Sequence, residues 1–396
     1  MINTILFDDS DRVNLLPLTF TRPSCLLRVG ITTIKEKWEL LLETPCSFLT
    51  EDYLSNKYPT ESANENLLIN GAVIPSNLLK EAIITLKTDE VLTKGETTLA
   101  AKVNSNAFEA IRTKNLEGLK KIEFTQEVDH IKYPWNIFSL NAKVLSSDFT
   151  AITKGRKSQV ISKTNQILGA DNIFLEEGAI VECSILNANT GNIYIGKEAE
   201  IMEGSIVRGS LAMCEHSALK LGTKIYGPTT IGPHSKVGGE INNSVLIGYS
   251  NKGHDGFLGN SVLGEWCNLG ADTNNSNLKN NYEEVKVWNY QKEGFIKTGL
   301  QFCGLIMGDH SKCGINTMFN TGTVVGVSAN IFGAGFPRNF FPSFSWGGPQ
   351  GMEIYAINKA FQTAEKVFER RGMIFDNTEK EILKHVFQMT EKYRRF

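Results

Sequence analysis

Cysteine, net charge, long apolar runs and, over the first third, glycine are what this 396-residue sequence has little of. Its seven cysteines (Cys25, Cys46, Cys183, Cys214, Cys267, Cys303, Cys313) are odd in number, scattered and never spaced as CxxC. That excludes a disulfide framework and a zinc site, so no metal ligand is assigned, and it fits a reducing compartment. Lys+Arg 41 against Asp+Glu 43 leave a net charge of −2, which gives no global attraction to nucleic acid or to an anionic membrane. The start, Met1-Ile-Asn-Thr-Ile-Leu-Phe-Asp-Asp9, has neither a basic n-region nor an apolar h-region. No later stretch approaches the roughly 18 apolar residues of a membrane span, so a soluble cytoplasmic protein is expected. At roughly 100–200 residues per domain, the length predicts two or three domains.

What is present is a glycine asymmetry: of 35 glycines, 29 fall between Gly169 and Gly351. Aliphatic-Gly pairs recur there, among them Ile195-Gly196, Leu221-Gly222, Ile231-Gly232, Val237-Gly238, Ile247-Gly248, Leu263-Gly264 and Leu269-Gly270. In the cleanest run Met307, Cys313, Phe319, Val325 and Ile331 follow one another at steps of six. Helices repeat every 3.6 residues and strands every 2, so a six-residue period marks a parallel β-helix of hexapeptide repeats, three to a coil. Each coil buries apolar residues against the next, while Gly, Asn and Asp tolerate its corners. Asn274 to Thr298 breaks the period and is expected to project as a loop.

Around this core the sequence predicts an α/β domain at 1–153, a basic linker at 154–166, the β-helix at 167–348 and helices at 349–396. In the first domain the pattern reads as a strand at Ile2–Phe7, a helix at Leu26–Leu42, a strand at Asn66–Ala72 and a helix at Leu78–Leu86. A helical stretch opens at Tyr133-Pro134-Trp135 and runs to Leu145. At the other end, Ile354, Ile357, Phe361, Ala364, Val367 and Phe368 have helical spacing. A second helix is expected to open at Asn377-Thr378, with Glu381 completing a capping box. Both helices are expected to cap the solenoid or to pack on a neighbour.

Chemistry points to His254, in Lys252-Gly-His-Asp-Gly-Phe-Leu-Gly259. A glycine-flanked corner lets a substrate approach the backbone, and an imidazole titrates near neutrality, as a general base must. A solvated turn histidine is the plain alternative. Downstream lie Asn268, Asn274, Asn275, Asn277, Asn280 and Asn281, which suit left-handed corners and side-chain ladders without any further role. Asn268 follows His254 by 14 residues, so two coil levels can converge on one groove.

The ordered stretches Val237-Gly-Gly-Glu-Ile-Asn-Asn-Ser244, Gly253-His254, Leu258-Gly-Asn-Ser-Val-Leu-Gly-Glu-Trp-Cys-Asn-Leu-Gly-Ala271, Asn277-Leu-Lys279 and Met307-Gly-Asp-His-Ser-Lys-Cys-Gly-Ile-Asn316 carry a resemblance. They resemble, over about 170 residues, the acetyltransferase half of bifunctional N-acetylglucosamine-1-phosphate uridylyltransferase/glucosamine-1-phosphate N-acetyltransferases. The resemblance implies a left-handed β-helix, acetyl-CoA as donor, an amino-sugar phosphate as acceptor, and a homotrimer with sites between adjacent prisms. It makes His254 the general base and gives Asn268 and Asn277 to the sugar. Two positions depart from it. Phe257 stands where the family has Tyr, and Asn242 stands where a Lys binds the sugar phosphate, leaving Lys252, or Lys224, to supply the cation.

The amino-terminal domain resembles a reduced sugar-1-phosphate nucleotidyltransferase through Leu16-Pro-Leu-Thr19 and Thr21-Arg-Pro23. That likeness implies UTP or dTTP as substrate. Where such enzymes cradle a triphosphate in a glycine-rich loop, this chain reads Phe7-Asp-Asp-Ser-Asp-Arg12, with no glycine and three carboxylates. A Mg²⁺ ion would be needed to bridge them, with Arg12, Arg22, Arg28 and Lys37 as phosphate-binding candidates. The leading expectation is therefore an N-acetyltransferase in nucleotide-sugar biosynthesis for the cell envelope. The alternatives are a sugar-1-phosphate nucleotidyltransferase whose solenoid trimerises it, or a non-catalytic scaffold.

Overall fold

A computed structural model of the protein describes residues 3–396. They pack as two units, one holding the chain up to Leu27 with Thr32–Asn136, the other Arg28–Ile31 with Ile137–Phe396.

The first unit is a six-stranded sheet flanked by short helices. In chain order its elements are β1 (Asn3–Phe7), α1 (Ile34–Leu42), β2 (Cys46–Leu49), β3 (Asn66–Asn70), α2 (Asn77–Ile84), β4 (Glu90–Lys94), β5 (Thr97–Val103), α3 (Phe108–Arg112) and β6 (Lys120–Glu123). Across the sheet the order is β2-β1-β3-β5-β4-β6. β1 lies parallel to β2 and β3, whereas β5 is antiparallel to both its neighbours. Ile5, Phe7, Leu68, Val91, Ala101 and Val103 form its core. The first helix starts eight residues later than Leu26, because Thr33 and Glu36 form a capping box just before Ile34.

In the second unit α4 (Pro134–Thr153) runs a further two turns beyond Leu145, and from Ile137 onward it belongs with the solenoid rather than with the first unit. Its Leu145 and Phe149 pack on Phe174 and Tyr194 of the prism. The prism itself has three faces. The first climbs from Gln166–Leu168 to Phe257–Gly259 in six strands, the second from Ile173–Leu175 to Phe340–Phe341 in nine. The third has ten strands, from Ile180–Val181 to the antiparallel closing strand Gly351–Ile354. All five residues of the six-step run, Met307 to Ile331, lie in its continuous core. The break in the period falls later than expected. Asn274–Asn275 still belongs to the prism, and what projects carries the hairpin Lys286–Asn289/Gly294–Lys297.

Corners between the second and third faces are left-handed even where they are not glycine: His216, His234, Tyr249, Trp266 and His310 all have φ between 51° and 62°. Equivalent corners stack, so their rings form one column with centroids 4.8, 4.8, 4.4 and 6.3 Å apart. The chain ends in α5 (Ile357–Glu369) and α6 (Asn377–Met389). Phe368 of α5 stacks on Trp266 at 4.1 Å, so this helix packs on its own prism. The capping box expected at Thr378 is not formed. Asp376 is the N-cap, accepting from Glu379 N at 2.9 Å. No helix among the described residues is long and apolar enough to cross a membrane.

Candidate functional site

The third face decides where chemistry is exposed, because all its strands but the last two are two residues long and set one side chain out, one in. The ladder aligns Ala218, Lys236, Asn251, Asn268, Lys312, Asn330 and Trp346 in one outward column. The same pairing sets Lys252 opposite Val237, at an inward position. Lys252 is 1% exposed, and its Nζ donates to His254 O at 2.6 Å and Asp255 O at 2.9 Å. Burial brings its pKa down to about 8, against the pull of Asp255. The expectation that Lys252 holds a sugar phosphate is therefore corrected. Its charge is spent inside, fixing the corner that carries His254.

That corner is Gly253-His254-Asp255-Gly256, a four-residue turn standing over the two-residue turn Gly238-Gly239 of the coil before it. A Cβ at Gly238 would meet Gly253 O at 2.8 Å, and one at Gly256, where φ is +112°, would run into Thr273 O. Only glycine lets these coils approach so closely. His254 is exposed at the turn's outer edge, and no carboxylate is bonded to its imidazole among the described residues.

His254 lies on the rim of a cleft of about 1230 Å³ between the third face and α5. Lys236, Asn251, Asn268 and Lys312 make its floor, with Tyr249 and Trp266 of the ring column on one side. Across from them α5 presents Lys359 and Lys366, and the turn that follows it presents Arg370 and Arg371. Seven Lys and Arg side chains line the cleft and no Asp or Glu does, so its walls favour an anion. Three of the seven have partners: Lys312 Nζ donates to His310 O at 3.1 Å, Arg371 Nη2 to His234 O at 3.0 Å, and Lys366 pairs with Glu369 at 2.8 Å. Burial lowers the pKa of Lys312, and burial together with neighbouring Arg370 lowers that of Arg371.

Of the sequence candidates, His254 and Asn268 thus meet in one cleft; Asn242 and Asn277 do not line it. Asn242 ends its strand at the opposite edge of the first face, half-buried with its amide 3.3 Å from where a Cβ of Gly227 would stand. Asn277 donates to Asn260 Oδ1 at 2.8 Å. Gly259 makes room for both Asn277 and the Phe257 ring, each of which would touch a Cβ there. Lys224 is exposed on the first face, away from the cleft lining. Two further amides are structural. Phe257 N donates to Asn274 Oδ1 at 2.8 Å, while Gly259 N donates to Asn275 Oδ1 at 2.9 Å and Asn275 Nδ2 to Gly259 O at 3.1 Å. Side chains there replace the backbone ladder of the first face, which stops at Phe257–Gly259. The sequence pattern gave the helix α5 but not its place across the cleft, and it gave no sign of the ring column; the signal for Lys252 was its place in the repeat.

In the first unit the phosphate-binding candidates are spent on the protein. Arg12 is buried, with Nε 3.0 Å from Asp8 Oδ2 and Nη2 donating to Thr19 O. Lys37 is buried and donates to Thr32 O and Oγ1, both at 2.9 Å. Arg22 is 4% exposed. Arg28 belongs to the other unit, donating through Nε to Ile247 O at 3.2 Å. The three carboxylates are engaged as well. Asp8 accepts from Ser24 N at 2.8 Å and Thr50 Oγ1 at 2.6 Å, Asp9 from Asn70 Nδ2 at 3.1 Å, and Asp11 pairs with Lys114 at 2.5 Å. Burial raises the pKa of Asp9, with Lys114 opposing. Carboxylates so occupied do not fit a bridging Mg²⁺, and no group of three or more His, Cys, Asp or Glu could hold a metal among the described residues.

Comparison with known proteins finds likeness in both parts of the chain. Residues 4–157 match the sequence model of a family described as "Sugar nucleotidyl transferase". The chain is 26% identical over 268 residues to the bifunctional sugar-1-phosphate nucleotidylyltransferase/acetyltransferase of Sulfurisphaera tokodaii, covering 65% of this chain and 58% of that one. It is 28% identical over 271 residues to the bifunctional protein GlmU of Methanococcus aeolicus, covering 68% and 57%. The chain thus spans under two thirds of the length of these relatives. A solved UDP-N-acetylglucosamine acyltransferase from Campylobacter jejuni aligns with 56% of this chain and 83% of its own, at 14% identity and a TM-score of 0.17.

Proposed function

We propose that this chain, related over about two thirds of its length to bifunctional sugar-1-phosphate nucleotidylyltransferase/acetyltransferases, acts as an acetyl-CoA-dependent N-acetyltransferase on an amino-sugar phosphate. The observation that carries the reading is His254 on the rim of a cleft lined by seven cations and no acid, which suits the phosphates of both substrates. His254 takes a proton from the amino group as the nitrogen attacks the thioester carbonyl. The C–N bond forms, the C–S bond breaks, and the departing thiolate takes up a proton as CoA. Lys252 contributes by holding the carbonyls of His254 and Asp255, which keeps the imidazole at the edge of the cleft. Asn268, exposed on the cleft floor, is a hydrogen-bonding group for the acceptor. We place the protein in the cytoplasm as a homotrimer, following the family it resembles.

Nucleotidyl transfer by the first unit is less well supported, since Arg12 and Lys37 are committed to internal partners. CoA release from acetyl-CoA with glucosamine-1-phosphate tests the proposal. His254→Ala should lower kcat by about 10²–10⁴. Unchanged turnover in that variant would remove the assigned base.

A further inference from the structure

The helix opposite His254 belongs to the same chain, whereas the resemblance puts the acyl-transfer site between neighbouring copies. α5 is fastened to the prism at two points on one side of the cleft, by Phe368 stacked on Trp266 at 4.1 Å and by Arg371 Nη2 donating to His234 O at 3.0 Å. From that seat it holds Lys359 and Arg370 against the cleft, both exposed and with no ion pair among the described residues. Facing them, Lys236 is likewise exposed and unpaired. Like charges gathered around one hollow repel one another, a cost that a bound anion relieves. The hollow, about 1230 Å³, exceeds what a sugar monophosphate fills, and it runs past His254 to the rings of Tyr249 and Trp266.

We propose that the nucleotide end of the acyl donor, a phosphorylated adenosine diphosphate, lies in this cleft in cis, its phosphates held between Lys236 of the third face, Lys359 of α5 and Arg370 at the end of that helix. This rests on the reading of the chain as a CoA-dependent transferase and adds that its own carboxy-terminal helical segment contributes to the donor site. The thioester then reaches the rim where His254 stands.

The test is CoA binding to the full chain by calorimetry, with no acceptor present. In the double variant Lys359→Glu/Arg370→Glu the Kd should weaken by at least about tenfold, since two charge-assisted contacts to phosphate are lost and like charges take their place. CoA lacking its 3′-phosphate should bind more weakly than CoA to the parent, and added salt should narrow the gap. Thermal melting of the variant should match the parent, because neither side chain holds α5 in place. An unchanged Kd in a folded variant overturns the proposal, as does displacement of CoA by UDP at equal concentration, which would give the cleft to a sugar nucleotide. Tight, α5-dependent CoA binding without acetyl transfer would leave this inference standing and remove the activity proposed above. Transfer with an α5-independent Kd would do the reverse.

Discussion

Positive charge in the two units meets opposite fates. In the first, Arg12 is locked to Asp8 and Thr19, and Lys37 folds back onto Thr32. In the second, Lys236, Lys359 and Arg370 face a cleft without a single carboxylate. Counting cations near a motif does not locate a phosphate site; what matters is whether each cation already has a partner. Four basic residues near the first strand suggested a nucleotide pocket, yet the structure turns them into struts or assigns them to the other unit. The cations left unspent sit on elements with no phosphate-binding motif.

Arg12→Ala is the strongest way to break this contrast. A strut predicts a stability loss of about 3–5 kcal/mol in urea unfolding, because Asp8 would be left buried without its cation. A raised nucleotide KM with an unchanged unfolding midpoint would instead make Arg12 a ligand. A smaller effect comes from glycine. Gly256→Ala should cost about 1–3 kcal/mol and disturb the His254 corner, since φ is +112° and Thr273 O blocks a Cβ. Gly95→Ala in the first unit, where φ is +55° and nothing lies within 4 Å, should show left-handed strain alone, about 1 kcal/mol. Equal losses at the two sites would mean that coil stacking imposes no special constraint.

The smallest effect is pH-dependent. Lys252 titrates near 8 when folded and near 10.5 when unfolded, so between those values the unfolded chain binds more protons. Stability of the parent relative to Lys252→Met should therefore rise as pH climbs from about 8 to 10.5. A difference flat in pH would mean that the ammonium is not desolvated by its place in the core.

Much of the prism was legible because Met307, Cys313, Phe319, Val325 and Ile331 advertise a period that no other fold shares. That His254 and Asn268 line one cleft was legible as well, both being outward residues at neighbouring coil levels. Lys252 was misread by its proximity to His254, although its alignment with Val237 marks it as inward. The ring column hid because corner lengths vary, from two residues at Gly238-Gly239 to four at the His254 turn, so His216, His234, Tyr249, Trp266 and His310 keep no constant spacing. The cleft hid for another reason: α5 meets the third face across some hundred residues of chain, a long-range pairing that local pattern does not encode.

The asparagines that splice the first face carry a liability of their own. Asn275 bridges to Gly259 with both ends of its amide, taking Gly259 N–H on its oxygen and giving its nitrogen to Gly259 O. Asparagine is among the thermolabile side chains. Were it deamidated, a carboxylate oxygen would confront that carbonyl where a donor had been. Chemical ageing at Asn275 would then weaken the joint where the first face passes from backbone to side-chain pairing.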